Sequence, residues 1–155
     1  MTDCSVRRID DMEVMVFGRF KRARAELGVE SFGMQVIDLP ANASGHQAHH
    51  HREDGQEEVY VVLRGNGEIE IEGTRHAIDP ETMVRVSPSA TRKLWPGSDG
   101  MRVLVLGGTP GHAYQAPEVT CLGAPDPGRE ISAAMTRPAS GTHRFDDVHG
   151  ATSRR

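Results

Sequence analysis

Residues 45–65 read GHQAHHHREDGQEEVYVVLRG, and the reading of this stretch decides the fold. In an extended backbone residues two apart face the same way, so His49 and His51 aim two imidazoles at one point while His50 points to the opposite side. A polar loop, 52–56, follows, and then Glu57, Glu58 and the apolar run 59–63. Along that run Glu58, Tyr60 and Val62 share one face, and Val59, Val61 and Leu63 the other, which predicts a strand buried between two sheets. Glu58 is the anomaly on it. A carboxylate taken out of water needs a metal, a cation or a strong donor as its partner. Two neutral imidazoles and one carboxylate, with open positions left over, suit Fe, Mn, Ni or Zn as a divalent ion. His49, His51 and Glu58 are the candidate metal ligands.

Outward from this segment the pattern stays β-type. Seventeen glycines and nine prolines punctuate short runs, and strands are expected at 13–18, 32–39, 58–63, 68–72, 83–86 and 102–106. Arg64-Gly65-Asn66-Gly67 predicts a tight hairpin, because Asn and Gly accept positive φ cheaply. The next strand alternates strictly, which places Ile69 and Ile71 inside and Glu68, Glu70 and Glu72 in water. Phe32, Met34 and Val36 alternate as barrel lining, and KRARAEL at 21–27 predicts one or two helical turns with a solvated charged face, stopped by Gly28. The result is an all-β barrel or sandwich with three parts: 1–31, an N-terminal strand and short helix; 32–122, the barrel; and 123–155, a flexible tail of small and polar residues.

At 155 residues the chain has room for one domain with a real core. A net charge of −4 with no basic cluster argues against nucleic acid and against a membrane surface as partners. The first twenty residues mix acids and bases without an apolar stretch, and Cys4 and Cys121 lie far apart with no CxxC pair; a cytoplasmic protein with two reduced thiols is expected.

The segment resembles the first conserved motif of the cupin superfamily: a glycine, His-x-His, a glutamate, then six residues and a glycine. His49-His50-His51 supplies the His-x-His, and Glu58 is followed by six residues before Gly65, which selects it over Glu57. The resemblance is to small single-domain bacterial cupins and covers roughly residues 32–106. It implies a conical jelly-roll barrel, ligands pointing into its cavity, a small-molecule ligand or substrate, and a homodimer. Two departures stand out. The loop 52–57 is longer than the family's spacing, and a looped-out Glu53-Asp54-Gly55 would absorb the excess. The second cupin motif should add a histidine, but Val86-Ser87-Pro88-Ser89-Ala90-Thr91-Arg92-Lys93 puts Arg92 there, or Lys93 one residue on. A guanidinium is always protonated and ligates no metal.

Arg92 therefore has two readings. It either points aside or toward an anionic substrate group while His49, His51 and Glu58 hold the metal, with water, His46 or His76 filling in, or it pairs internally with Glu58. Tyr60 and Arg92 are the candidate catalytic residues. The implied activity is oxidation, isomerisation or cyclisation of a small organic molecule. The alternatives are a metal-free, epimerase-like cupin in which His51 is the base and Glu58 orients it, and a non-catalytic small-molecule-binding cupin. His50, His76, His143 and His149 are expected at the surface, and His112 and Tyr114 at the barrel exit.

Overall fold

The computed structural model describes residues 3–44, 46–129 and 132. Two long strands dominate it, β4 (Glu57–Ile71) and β7 (Arg92–Gly108), paired antiparallel from Glu57 against Gly108 to Ile71 against Arg92. Around them lie β1 (Val14–Met15), β2 (Phe20–Lys21), the short helix α1 (Ala23–Leu27), β3 (Gly33–Leu39), β5 (Thr74–Ile78) and β6 (Met83–Val86). The hydrogen-bonded order is β1-β2-β3-β7-β4-β5, with β6 on the first half of β4. This is a mostly antiparallel jelly roll, as the strand pattern predicted.

The expected hairpin at 64–67 is not there. The chain runs through it as one bent strand, with register shifts between Val62 and Arg64 and between Gly65 and Gly67. The glycines serve close packing rather than reversal: a Cβ on Gly65 would fall 2.1 Å from Gly100 O, and one on Gly67 would fall 2.2 Å from Trp95 O. The real reversal is Glu72-Gly73, with φ of 48° and 80°, the positive pair a two-residue hairpin needs. Gly65→Ala is expected to cost about 2–4 kcal/mol in urea unfolding, since strained φ and a backbone clash add. Gly73→Ala, with positive φ but open space around it, should cost only about 1–2 kcal/mol. Equal losses would show that the close approach at Gly65 is unimportant.

The interior takes alternate residues of each strand: Tyr60, Val62 and Ile69 from β4, Ile37 and Leu39 from β3, and Leu94, Val103 and Val105 from β7. The opposite face of β4 is not sandwiched as expected, for Val59 and Val61 are half-buried and Leu63 is exposed. The lining expected from β3 is also in the wrong phase. Val36 packs with Met12, Ala23 and Leu27 beneath α1, Met34 touches that cluster and also reaches the cavity wall, and Ile37 and Leu39 face the barrel. Phe32 is exposed. The short helix ends at Gly28, whose φ of 73° allows its N–H to cap Ala25 and Arg24 carbonyls. Its charged run is not simply solvated. Arg22 is 1% exposed, pairs with Glu13 and donates to Ala124 O at 2.7 Å. At the start of the segment expected as a tail, Gly123 N donates to Glu13 and Asp126 accepts from Val16 N at 2.6 Å. Residues 133–155, with His143 and His149, lie outside the described residues. No helix among the described residues is long and apolar enough to cross a membrane.

Candidate metal centre

Backbone pairing sets the histidines. His49 and Arg92 exchange both backbone hydrogen bonds, at 3.1 and 2.9 Å, and His46 N donates to Leu94 O at 3.0 Å. Residues directly opposite in an antiparallel pair project to the same side, so His49 and Arg92 enter the interior together. Lys93 then faces outward, its Nζ 3.7 Å from the Trp95 ring centroid. Of the two, Arg92 is the one that turns inward. Glu58, 7% exposed, comes from β4.

His49, His51 and Glu58 each offer a ligand atom, all within 4.8 Å of one another. His49 Nε2 lies 3.6 Å from Glu58 Oε2, and His51 Nε2 lies 3.2 Å from Glu58 Oε1. Donors bonded to one ion at about 2.0–2.2 Å sit about 3.0–3.5 Å apart, so the spacing fits a shared ion. The far ring nitrogens agree. Nδ1 of His51 is 2.9 Å from Asp54 Oδ2, and Nδ1 of His49 is 3.3 Å from Gln47 O. In the tautomer with the ring protons on Nδ1, toward these acceptors, the Nε2 lone pairs face Glu58, the orientation metal-ligating imidazoles adopt. His51 Nε2 is buried, with Glu58 Oε1 at 3.2 Å as its neighbour. The chemistry of the donor set and its spacing therefore fit a divalent transition metal. Asp54 belongs to the extra length of the 52–57 loop, which closes on His51 through Gly55 N to His51 O at 2.8 Å.

Arg92 forms the internal pair. It is 1% exposed, its Nε and Nη2 donate to Glu58 Oε2 at 3.0 and 2.8 Å, and its Nη1 donates to Ala90 O. The Tyr60 hydroxyl donates to the same carboxylate oxygen at 2.5 Å. Burial raises the Glu58 pKa, but His49, His51, Tyr60 and Arg92 outweigh it and hold the carboxyl well below the usual range. Burial, reinforced by Glu58, pushes the Tyr60 phenol upward, so it remains a donor. Glu58 raises the His51 pKa against burial, with help from Asp54. His46 is pushed down to about 4, first by burial and then by His49, and stays neutral.

The site opens into a cavity of about 480 Å³ walled by apolar and aromatic residues such as Phe20, Ile37, Leu94 and Val105, a size that suits a small organic ligand. His46, Tyr60, Gln56, Tyr114 and Arg24 also line it. Arg92 does not; it lies behind Glu58, so its contacts are with the ligand carboxylate rather than the cavity. His50 and His76 are exposed, and His112 is exposed and bonded to Pro110 O. Asp54, Gln56, Phe20 and Arg24 escaped the sequence reading. Asp54 had a signal in its spacing three residues from His51; Arg24, one base in a charged run, had none.

A cupin protein from Bacteroides fragilis matches this structure over 76% of this chain and 93% of its own, with a TM-score of 0.58 and 21% identity. The protein has the cupin fold. Two other solved structures align with about half of the chain. A putative sugar phosphate isomerase from Acidithiobacillus ferrooxidans is 24% identical over 57% of this chain and 56% of its own, with a TM-score of 0.48. A cupin domain of an XRE family transcriptional regulator from Enterobacter cloacae is 23% identical over 54% and 86%, with a TM-score of 0.46. No protein-family model and no curated protein matches the chain. On this fold His49, His51 and Glu58 meet at one point, with Arg92 paired to Glu58 beside them.

Proposed function

We propose that this protein binds one divalent transition-metal ion through His49, His51 and Glu58 and acts on a small organic molecule in the barrel cavity. The observation that carries the reading is the shared orientation of the two imidazoles, Nδ1 toward an outer acceptor and Nε2 toward Glu58. When bound, the ion supplies a Lewis-acid or redox centre, which serves oxidation, isomerisation or cyclisation. The chain's own residues do the rest. Tyr60 and Arg92 fix the Glu58 carboxylate, His46 offers an uncharged ring nitrogen to the cavity, and the apolar wall excludes water.

The test is metal analysis after dialysis against equimolar Fe(II), Mn(II), Ni(II) and Zn(II). One ion per chain is expected in the wild type and less than a tenth of that in His49→Ala. Substoichiometric metal in the wild type, or equal content in the variant, removes the proposal. A second reading then takes over, favoured by the three donors already on Glu58 Oε2: a metal-free cupin in which His51, oriented by Asp54 and Glu58, is the general base.

A further inference from the structure

Arg24 is half-buried, and it differs from four neighbouring or buried cations that each have a carboxylate partner. Arg22 pairs with Glu13, Arg92 with Glu58, Arg102 with Asp38 and Asp10, and Lys21 with Asp38. Arg24 has no carboxylate partner among the described residues. Its Nη1 donates to Val29 O at 3.0 Å, its Nη2 meets only Cys121 Sγ at 3.9 Å, and its Nε is buried with no partner at all. Among the described residues it is also the only lysine or arginine in the cavity wall, where His46, His49, His51, Glu58 and Tyr114 share the same space. A buried Nε–H left without an acceptor is costly in a folded protein, and Nε with Nη2 is the edge that grips a carboxylate through two parallel hydrogen bonds.

We propose that Arg24 binds the carboxylate of the substrate, so that the cavity takes a small organic acid with its charged group at Arg24 and its remaining body against the apolar wall toward the histidines. The inference rests on the cavity being the substrate site, as proposed above, but not on the metal. It moves anion recognition away from the second-motif region, where Arg92 is committed to Glu58 and Lys93 faces outward onto Trp95. The acid's charge is met by a cation supplied from α1, while the barrel's own cation is neutralised in place.

The test titrates the metal-loaded and the metal-free full chain with benzoate, hexanoate and pyruvate, each against its uncharged amide, by calorimetry. At least one acid is expected to bind at least tenfold more tightly than its amide. Arg24→Gln should remove that preference, Arg24→Lys should keep part of it, and both variants should hold as much metal as the wild type. Equal binding of acid and amide overturns the proposal, as does an acid preference that survives Arg24→Gln. No saturable binding of any of the three acids at concentrations on the order of 10 mM overturns it as well. If the acid preference is lost in His49→Ala or on removing the metal but kept in Arg24→Gln, the ion is the anion site and Arg24 is not. A wild type without metal that still shows the Arg24-dependent preference defeats the metal reading alone.

Discussion

Arg92→Met is expected to destabilise the metal-free protein by about 3 kcal/mol, read as a lower urea midpoint at unchanged slope. Methionine fills much of the same volume, so the cost comes from Glu58. That carboxylate is 7% exposed and loses both guanidinium hydrogen bonds, and breaking a buried pair costs about 3–5 kcal/mol. The lower end applies because Tyr60 and His51 still face it. The deficit should also depend on pH. His51 has a folded pKa raised above 6.5 by Glu58, so its contribution is fully present below the unfolded value and is lost as pH rises through the folded one. With Arg92 gone, imidazolium at His51 becomes the nearest cation to Glu58. The variant should therefore come closest to wild type below pH about 6.5 and fall furthest behind above the folded His51 pKa. A deficit under about 1 kcal/mol, or one that ignores pH, would show that Arg92 does not hold the site together.

The features legible in the sequence were those with a period or a spacing. The alternation at 58–62 put Glu58, Tyr60 and Val62 on one face and isolated Glu58 as a charge in need of a partner, and that face is interior, though the opposite face is not sandwiched as the pattern implied. The His-x-His spacing located the histidine pair for the same reason, since two-residue periodicity is local. What failed depended on distant backbone. Nothing within residues 64–67 separates a hairpin from a glycine crossing, because the deciding atoms are Gly100 O and Trp95 O, some thirty residues on. The same holds for Val36, whose phase follows from α1 covering the outer face of β3. The sequence leaves Arg92 two outcomes, and only its pairing opposite His49 shows that it turns inward onto Glu58. Arg24 was invisible for the complementary reason: its meaning lies in a partner it lacks.

Glu58→Gln tests the point where the metal and the ion pair meet, because both use the same carboxylate. Two losses are expected together. Metal affinity should fall at least a hundredfold, about 2.7 kcal/mol, since a neutral amide replaces the one anionic ligand. The metal-free fold should also lose about 2–3 kcal/mol, because Arg92, 1% exposed, keeps a hydrogen-bond acceptor but no counter-charge. His49→Ala separates these effects: its side chain is about a third exposed, so it should abolish metal binding with little change in metal-free stability. The double variant Glu58→Gln, Arg92→Met should be less destabilised than the two singles summed, by about 2 kcal/mol, which is the coupling of the pair. Arg92→Met alone should bind metal more tightly than the wild type. A cation beside the ligand carboxylate repels a dication, and an ion that replaces the missing guanidinium stabilises a Glu58 otherwise left short of charge. Weaker metal binding in Arg92→Met would mean that the arginine is needed to present Glu58 to the ion rather than competing with it. Unchanged metal binding in Glu58→Gln would remove Glu58 from the ligand set and leave the arginine pair as its only role.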